Sequence, residues 1–309
     1  MRCHIRGSVS LKRAGLPALR FSANERTATE MSCLYIVPTP IGNLGDITLR
    51  ALETLKTVDF IAAEDTRVTK KLLLHFQIAK PLLSCYEHNE RMRSAEIVAR
   101  IAGGEACALV TDAGTPAVSD PGELLVAACV AAGIRVVPLP GACAAVCALS
   151  ACGLPTGRFC FEGFLSVSKK SRRERLRALR GETRTMVFYE APHKLPYTLR
   201  DLYEAFGDRR IALCRELTKV YEEFVRTTLS EAAARYGAED AKVKGEFVLI
   251  VEGAAPAEPE ENGGIQALDL TQDIKTVVGA ARQAGLSRNE AYRAALLEKR
   301  KTRRELPEE

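Results

Sequence analysis

Four short runs concentrate the side chains able to do polar chemistry. AAEDTR carries Glu64, Asp65 and Arg67; FYEAPH carries Glu190 and His193; RELTKVYEE carries Arg215, Glu216, Lys219 and Glu222. The fourth, VTDAGTPAVSDPG at 110–122, holds two Asp, two Gly and two Pro with Thr115 and Ser119. Carboxylates, a histidine or a lysine can accept a proton from a poorly acidic hydroxyl, and arginines hold phosphates or carboxylates. The same groups can equally form structural salt bridges, so each remains a candidate at this point. The spacing offers no metal-ligand cluster: Cys143, Cys147 and Cys152 are close in sequence but lie among small residues with no histidine nearby.

Each polar run follows an apolar stretch of strand length, which predicts that loops at strand ends position them. From Cys33 the chain alternates LYIVP, FIAAE, LLSCY, CALVTD and RVVPL with helical patterns at 49–55, 68–76, 95–101 and 124–132. That β-α-β-α order predicts a largely parallel sheet with helices on both faces, and ligands bind such sheets beyond the carboxyl ends of the strands. Three loops meet that description. VPTPIGNLGDIT (37–48) has Gly42 and Gly45 for close backbone approach and Asp46 or Thr48 to cap a helix. It lacks G-x-G-x-x-G, so a dinucleotide fingerprint is absent. The 110–122 loop is too rich in turn-forming residues to be regular, and LPGACAA (139–145) is built of small residues that leave room for a ring or a ribose.

A turn-rich stretch at 153–157 marks a domain boundary. Beyond it RFCFEGF, RTMVFYE, RIALCREL, the 220–228 segment and EFVLIVEG predict a second α/β unit with a mixed sheet. The expected organisation is an N-terminal extension at 1–30, α/β domains at 31–153 and 154–253, a linker at 254–265, and a helical, helix-turn-helix-like tail at 266–309, where Ser287 and Glu290 have capping-box spacing. Residues 1–30, basic and nearly free of acids, read either as a targeting segment or as an extension upstream of a start at Met31, and the second reading is favoured.

The 309 residues, 47% hydrophobic and 27% charged, suffice for two cores. No apolar run approaches the roughly 18–20 residues that cross a bilayer. Ten scattered cysteines without paired C-x-x-C spacing read as reduced thiols of a cytoplasmic protein. The net charge of +5 is too small to demonstrate a nucleic-acid partner, but SKKSRRERLRALRG (168–181) packs seven basic residues around one acid, with Leu176 and Leu179 at helical spacing. Alone, that run reads as a solvated helix face.

Taken together, LYIVPTPIGNLGDITLRA, AAEDTR, VTDAGTPAVSDPG, PLPGACA, FYEAPHK and CRELTKVYEE resemble the tetrapyrrole methylase superfamily, and within it a branch that methylates a cytidine ribose 2'-hydroxyl in small-subunit ribosomal RNA. The resemblance runs from Leu34 to about Gly253. It implies two α/β domains with S-adenosylmethionine in the cleft between them, a homodimer, and naked small-subunit RNA or the assembled small subunit as partner. Carried onto this sequence, it implies cofactor contacts from Pro38, Thr39 and Pro40, from Asp112, Ala113, Gly114 and Thr115, and from Cys143, Ala144 and Tyr189, with Ala212 and Gly245 as further candidates. With it, the basic run becomes an RNA-binding rim at Lys169, Lys170, Arg172 and Arg173. Two positions depart from the family pattern: Ser166 where proline is expected, and Lys194 where arginine is expected, which keeps the charge but loses a bidentate fork. Rival readings are a small-molecule methyltransferase of the same fold and a ribosome-assembly factor without activity.

Overall fold

A computed structural model describes residues 32–237, 243–255, 276–279 and 292. Nearly all of the helical tail, the linker beyond Ala255 and the N-terminal extension lie outside the described residues. Contacts divide the chain into two compact units. One extends to Cys147 and also takes Leu217–Glu222; the other takes Ala148–Glu216 and resumes at Glu223.

The first unit is built on five parallel strands, β1 (Leu34–Ile36), β2 (Phe60–Ala63), β3 (Leu82–Ser84), β4 (Cys107–Val110) and β5 (Val136–Pro138), in the order β3-β2-β4-β1-β5. Strand alternation explains why FIAA and CALV are apolar at every position: Ile61, Ala63, Ala108 and Val110 pack on one face, Phe60, Ala62, Cys107 and Leu109 on the other. Helices α1 (Leu49–Thr57) and α2 (Thr66–His75) cover the first face through Ala51, Leu55 and Leu73. Helices α3 (Glu90–Ala102) and α4 (Glu123–Ala131) cover the second through Ile97, Ile101, Leu125 and Cys129. The helix following β1 and the helix following β4 therefore lie on opposite faces although their strands are neighbours, which makes the β1/β4 junction a topological switch point. Helix starts follow residue chemistry: Thr48 accepts from Ala51 N–H at 3.0 Å to cap α1, and Asp65 accepts from Arg67 N–H at 2.8 Å to cap α2.

After α5 (Ala144–Ala151), the second unit carries a mixed sheet in the order β6-β7-β10-β8-β9. Its strands are β6 (Phe159–Phe164), β7 (Thr185–Glu190), β8 (Arg210–Arg215), β9 (Glu223–Thr228) and β10 (Phe247–Val251). Only β6 and β7 run parallel; the other pairs are antiparallel. Helices α6 (Lys169–Ala178), α7 (Leu195–Phe206) and α8 (Leu229–Tyr236) share one core with Met186, Phe188, Leu213 and Leu249 on one face of this sheet. Sequence patterning missed α8, a short helix capped by Thr228.

One expectation for α6 needs correction. Leu176 and Leu179 pack inward as expected, but Arg172 and Arg173 are not free cations on an RNA-binding rim. Both clamp Asp201 of α7, at 2.7 and 2.8 Å, and Arg173 also pairs with Glu204 at 2.7 Å. Arg172 donates further to the Ser166 and Val167 carbonyls. Asp201 is 4% exposed, and a buried carboxylate is tolerated only when paired, so α7 recruits these arginines inward. Lys169 and Lys170 remain exposed. Asp201→Ala, which leaves the Arg172 guanidinium buried without its carboxylate, is expected to cost about 3–5 kcal/mol in urea unfolding. Lys169→Ala should stay within about 0.5 kcal/mol of the parent.

Candidate active site

At the carboxyl edge of the first sheet, three loops hold one another. The 37–48 loop and the 110–122 loop pair through reciprocal backbone hydrogen bonds, Thr39 N–H to Gly114 O at 2.9 Å and Gly114 N–H to Thr39 O at 3.0 Å. The buried Thr39 hydroxyl adds a bond to Thr111 O at 3.1 Å. Thr115 Oγ1 donates to Ala142 O at 2.9 Å, tying in the 139–145 loop. That loop closes back on the first at Gly141, where a Cβ would stand 2.5 Å from Pro38 Cβ and 2.8 Å from its Cγ, so no larger residue fits without displacing the proline. The structure thus gathers Pro38, Thr39, Pro40, Asp112, Ala113, Gly114 and Thr115 with Cys143 and Ala144, which are half-buried at the start of α5. Ala117 and Ser119 adopt left-handed backbone conformations, φ 64° and 69°, so the 110–122 loop also stores strain of the kind found at binding sites.

Beside these loops stands a group of carboxylates. Asp112 N–H donates to Glu64 Oε2 and Asp65 N–H to Asp112 Oδ1, both at 3.3 Å, joining the ends of β2 and β4. Burial first, then neighbouring carboxylates, pushes both Glu64 and Asp112 up from the ordinary carboxylate range. Asp120 is pushed up to about 6, chiefly by burial and further by Glu64 and Asp112. Asp65 behaves oppositely: the Arg67 side chain, hydrogen-bonded at 2.6 Å, holds it at about 2. In the sequence Asp120 reads only as part of a turn-rich loop; its burial among other acids is visible only in three dimensions. The Thr111 hydroxyl, in a residue 2% exposed, has no hydrogen-bond partner among the described residues. A buried polar atom of that kind is expected to meet a ligand or water.

Lys219 belongs to the first unit by its contacts, although it is remote in sequence. A Cβ on Gly42 would collide with its side chain and lie 2.9 Å from Thr218 Oγ1, so the backbone of the first loop runs directly beneath this turn. Thr218 N–H donates to Glu222 Oε2 at 2.7 Å, which fixes the turn.

The remaining candidates fall in the second unit. Glu190, 2% exposed at the end of β7, accepts from Ala191 N–H at 2.9 Å with one oxygen and from the Thr198 hydroxyl with the other. Its carboxylate therefore ties the FYEAPH loop to α7, which accounts for it without proton transfer. Glu216 accepts from Glu246 N–H while its own N–H donates to Glu246 O, each at 2.9 Å, and this pairing shapes the turn containing Gly245. Arg215 donates to Lys244 O at 2.7 Å and faces Glu223. His193 is exposed just before α7. Tyr189 and Ala212 alternate onto the sheet face opposite the one that α6, α7 and α8 cover. Glu190→Gln should cost about 1–3 kcal/mol of stability and so lower the unfolding midpoint, because an amide cannot accept both bonds in this geometry. Thermal unfolding checks this; an unchanged midpoint would return Glu190 to the catalytic candidates.

A doubly wound parallel sheet with interlocked loops at its switch point, followed by a mixed α/β unit, is an architecture that known families share. The profile described as Tetrapyrrole (Corrin/Porphyrin) Methylases matches residues 33–233, and the chain belongs to this family. Two curated relatives carry the name Ribosomal RNA small subunit methyltransferase I. The one from Synechocystis sp. is 48% identical over 277 residues, 89% of this chain and 96% of its own length. The one from Escherichia coli O157:H7 is 48% identical over 269 residues, covering 85% and 94%. A solved uroporphyrin-III C-methyltransferase from Thermus thermophilus, complexed with S-adenyl homocysteine, superposes with a TM-score of 0.50 at 19% identity, covering 71% of this chain and 97% of that one; it bears on the fold alone.

Proposed function

We propose that this protein transfers the methyl group of S-adenosylmethionine to small-subunit ribosomal RNA, at the ribose 2'-hydroxyl of a cytidine. The observation that carries the reading is the 48% identity to the two methyltransferases over 89% and 85% of this chain. When bound, the cofactor supplies an electrophilic methyl group on a cationic sulfonium.

The residues present fit such a ligand. The unpartnered Thr111 hydroxyl offers a polar contact, the small 139–145 loop leaves room for a ring, and Glu64, Asp112 and Asp120 set up negative potential where a cation would sit. In this proposal Pro38 to Pro40, Asp112 to Thr115, Cys143 and Ala144 hold the cofactor, and Tyr189, Ala212 and Gly245 are further candidates. Alignment of acceptor and donor can supply about 7–11 kcal/mol of barrier reduction, whereas a general base typically adds only about 10²- to 10⁴-fold. Rigid loops therefore matter more than any one proton acceptor. Because Glu190 and Glu216 have structural engagements and Arg67 holds Asp65 ionised and paired, Glu64 and His193 are the acceptors to test first, with Arg67, Arg215 and Lys219 holding charge around the acceptor ribose. Naked small-subunit RNA or the assembled subunit as substrate, a homodimeric assembly and a cytoplasmic location complete the proposal. Among the described residues no helix is long and apolar enough to cross a membrane.

Labelled methyl from S-adenosylmethionine should enter small subunits purified from a strain lacking this activity, and nucleoside analysis should recover 2'-O-methylcytidine. Label entering only a small-molecule extract would replace the RNA reading by the tetrapyrrole one.

The acidic group gives a pH dependence of known sign. With its folded value near 6, Asp120 favours the protonated form, so its contribution to stability is complete below the usual carboxylate range and is lost as pH rises through about 6. Its negative charge is complete only above that pH. Affinity for the cationic cofactor should therefore fall as pH drops from 7.5 to about 5.5, and Asp120→Asn should flatten that profile. Calorimetric titration across the range checks both; a parent profile flat through pH 6 would remove the carboxylates from the cofactor's surroundings.

A further inference from the structure

Within β6, Phe161 and Phe164 are three residues apart, and in a regular strand they would point to opposite faces. Here both meet the Tyr189 ring edge-on, at 5.1 and 5.5 Å between centroids. The reason is a β-bulge: the register against β7 shifts between Phe161 and Gly163, and Gly163 takes φ 61°, a conformation that favours glycine. The bulge re-aims Phe164 onto the same face as Phe161 and Tyr189, while Leu165 turns into the core on the other. It is held in place by Glu162, whose side chain is 7% exposed and paired at 2.6 Å with Arg175 of α6. Phe164 nevertheless stays 55% exposed. A glycine bulge, with the intervening Glu162 engaged by the half-exposed Arg175, that leaves a large apolar ring at the surface points to a ring that meets a partner.

The surrounding charge says which partner. Val167 is exposed, and the exposed Lys169 and Lys170 follow Phe164 within about 22 Å of extended chain. Among the described residues neither lysine is ion-paired; the first turn of α6 contains no acid, and the nearest acid on the helix is Glu174, four residues after Lys170. An exposed aromatic ring followed by exposed cations is the pattern that binds an unpaired nucleotide, with base on ring and phosphate on cation.

We propose that Phe164, braced by Tyr189, is a stacking platform for a single-stranded base of the RNA substrate, and that Lys169 and Lys170 hold the adjoining phosphates. This deepens the RNA reading above and rests on it.

The test measures KM for small ribosomal subunits, its salt dependence, and cofactor affinity in the full-length protein. Phe164→Ala should raise KM about 10-fold with cofactor affinity and salt slope unchanged, and Phe164→Trp should restore the parent value. Lys169→Ala/Lys170→Ala should instead reduce the salt slope by about two charges' worth. Thermal midpoints establish that each variant folds. Turnover by the parent protein is the control for the RNA reading itself, and its absence would count against that reading first. With an active parent, an unchanged KM in Phe164→Ala overturns the platform, and so does an effect confined to the oligomeric state by light scattering, which would assign the ring to a second copy of the chain.

Discussion

The adjacency of β1 and β4 is the constraint on which the rest of the candidate site depends. Their following helices, α1 and α4, depart to opposite faces of the sheet, and a ligand-binding crevice is expected where strands diverge in this way. Everything else stabilises that opening. The Thr39–Gly114 bridge sets how far the two loops separate, the Thr115–Ala142 bond brings in the third, and Gly141 against Pro38 closes the ring. Buried Glu90 of α3 reinforces the arrangement from below by accepting from the Gly122 and Leu125 N–H groups at the head of α4, which anchors the far end of the 110–122 loop.

The second unit is organised by different physics. Its helices lie on one face of a mixed sheet, and its many arginines are largely assigned to specific carboxylates: Arg172 and Arg173 to Asp201, Arg175 to Glu162, Arg210 to Glu252. A run of positive charge in the sequence therefore overstates the positive surface. What remains available is set by which carboxylates the neighbouring helix and strand place opposite each arginine, and this leaves Lys169 and Lys170 as the exposed cations at the head of α6.

The sequence-level reading succeeded where the signal was periodic or local. The alternation of strands such as FIAA and CALV with helical patterns announced a parallel sheet, and of the two cap candidates Asp46 and Thr48 the structure uses Thr48 for α1. Three turn-rich stretches, after β1, β4 and β5, are the loops that hydrogen bonds and close packing tie together, since turn formers cluster where backbone must be irregular. What depends on partners remote in sequence was not legible. Arg172 and Arg173 looked like surface cations because Asp201 lies some thirty residues on; Glu190 looked like a free carboxylate because Thr198 engages it only once α7 forms. Asp120 gave no sign of its raised pKa, which arises from burial and from Glu64 and Asp112 nearby. The bulge in β6 likewise left only a glycine as its trace.

The central claim is that the interlocked loops of the first sheet are the cofactor's seat, and calorimetric titration of S-adenosylmethionine into the parent protein and Gly141→Ala tests it most directly. The account predicts one-site binding by the parent and at least about a tenfold loss in Gly141→Ala, because the added methyl displaces Pro38 and loosens the ring of loops. Equal affinity in a variant with unchanged thermal stability would place the cofactor elsewhere.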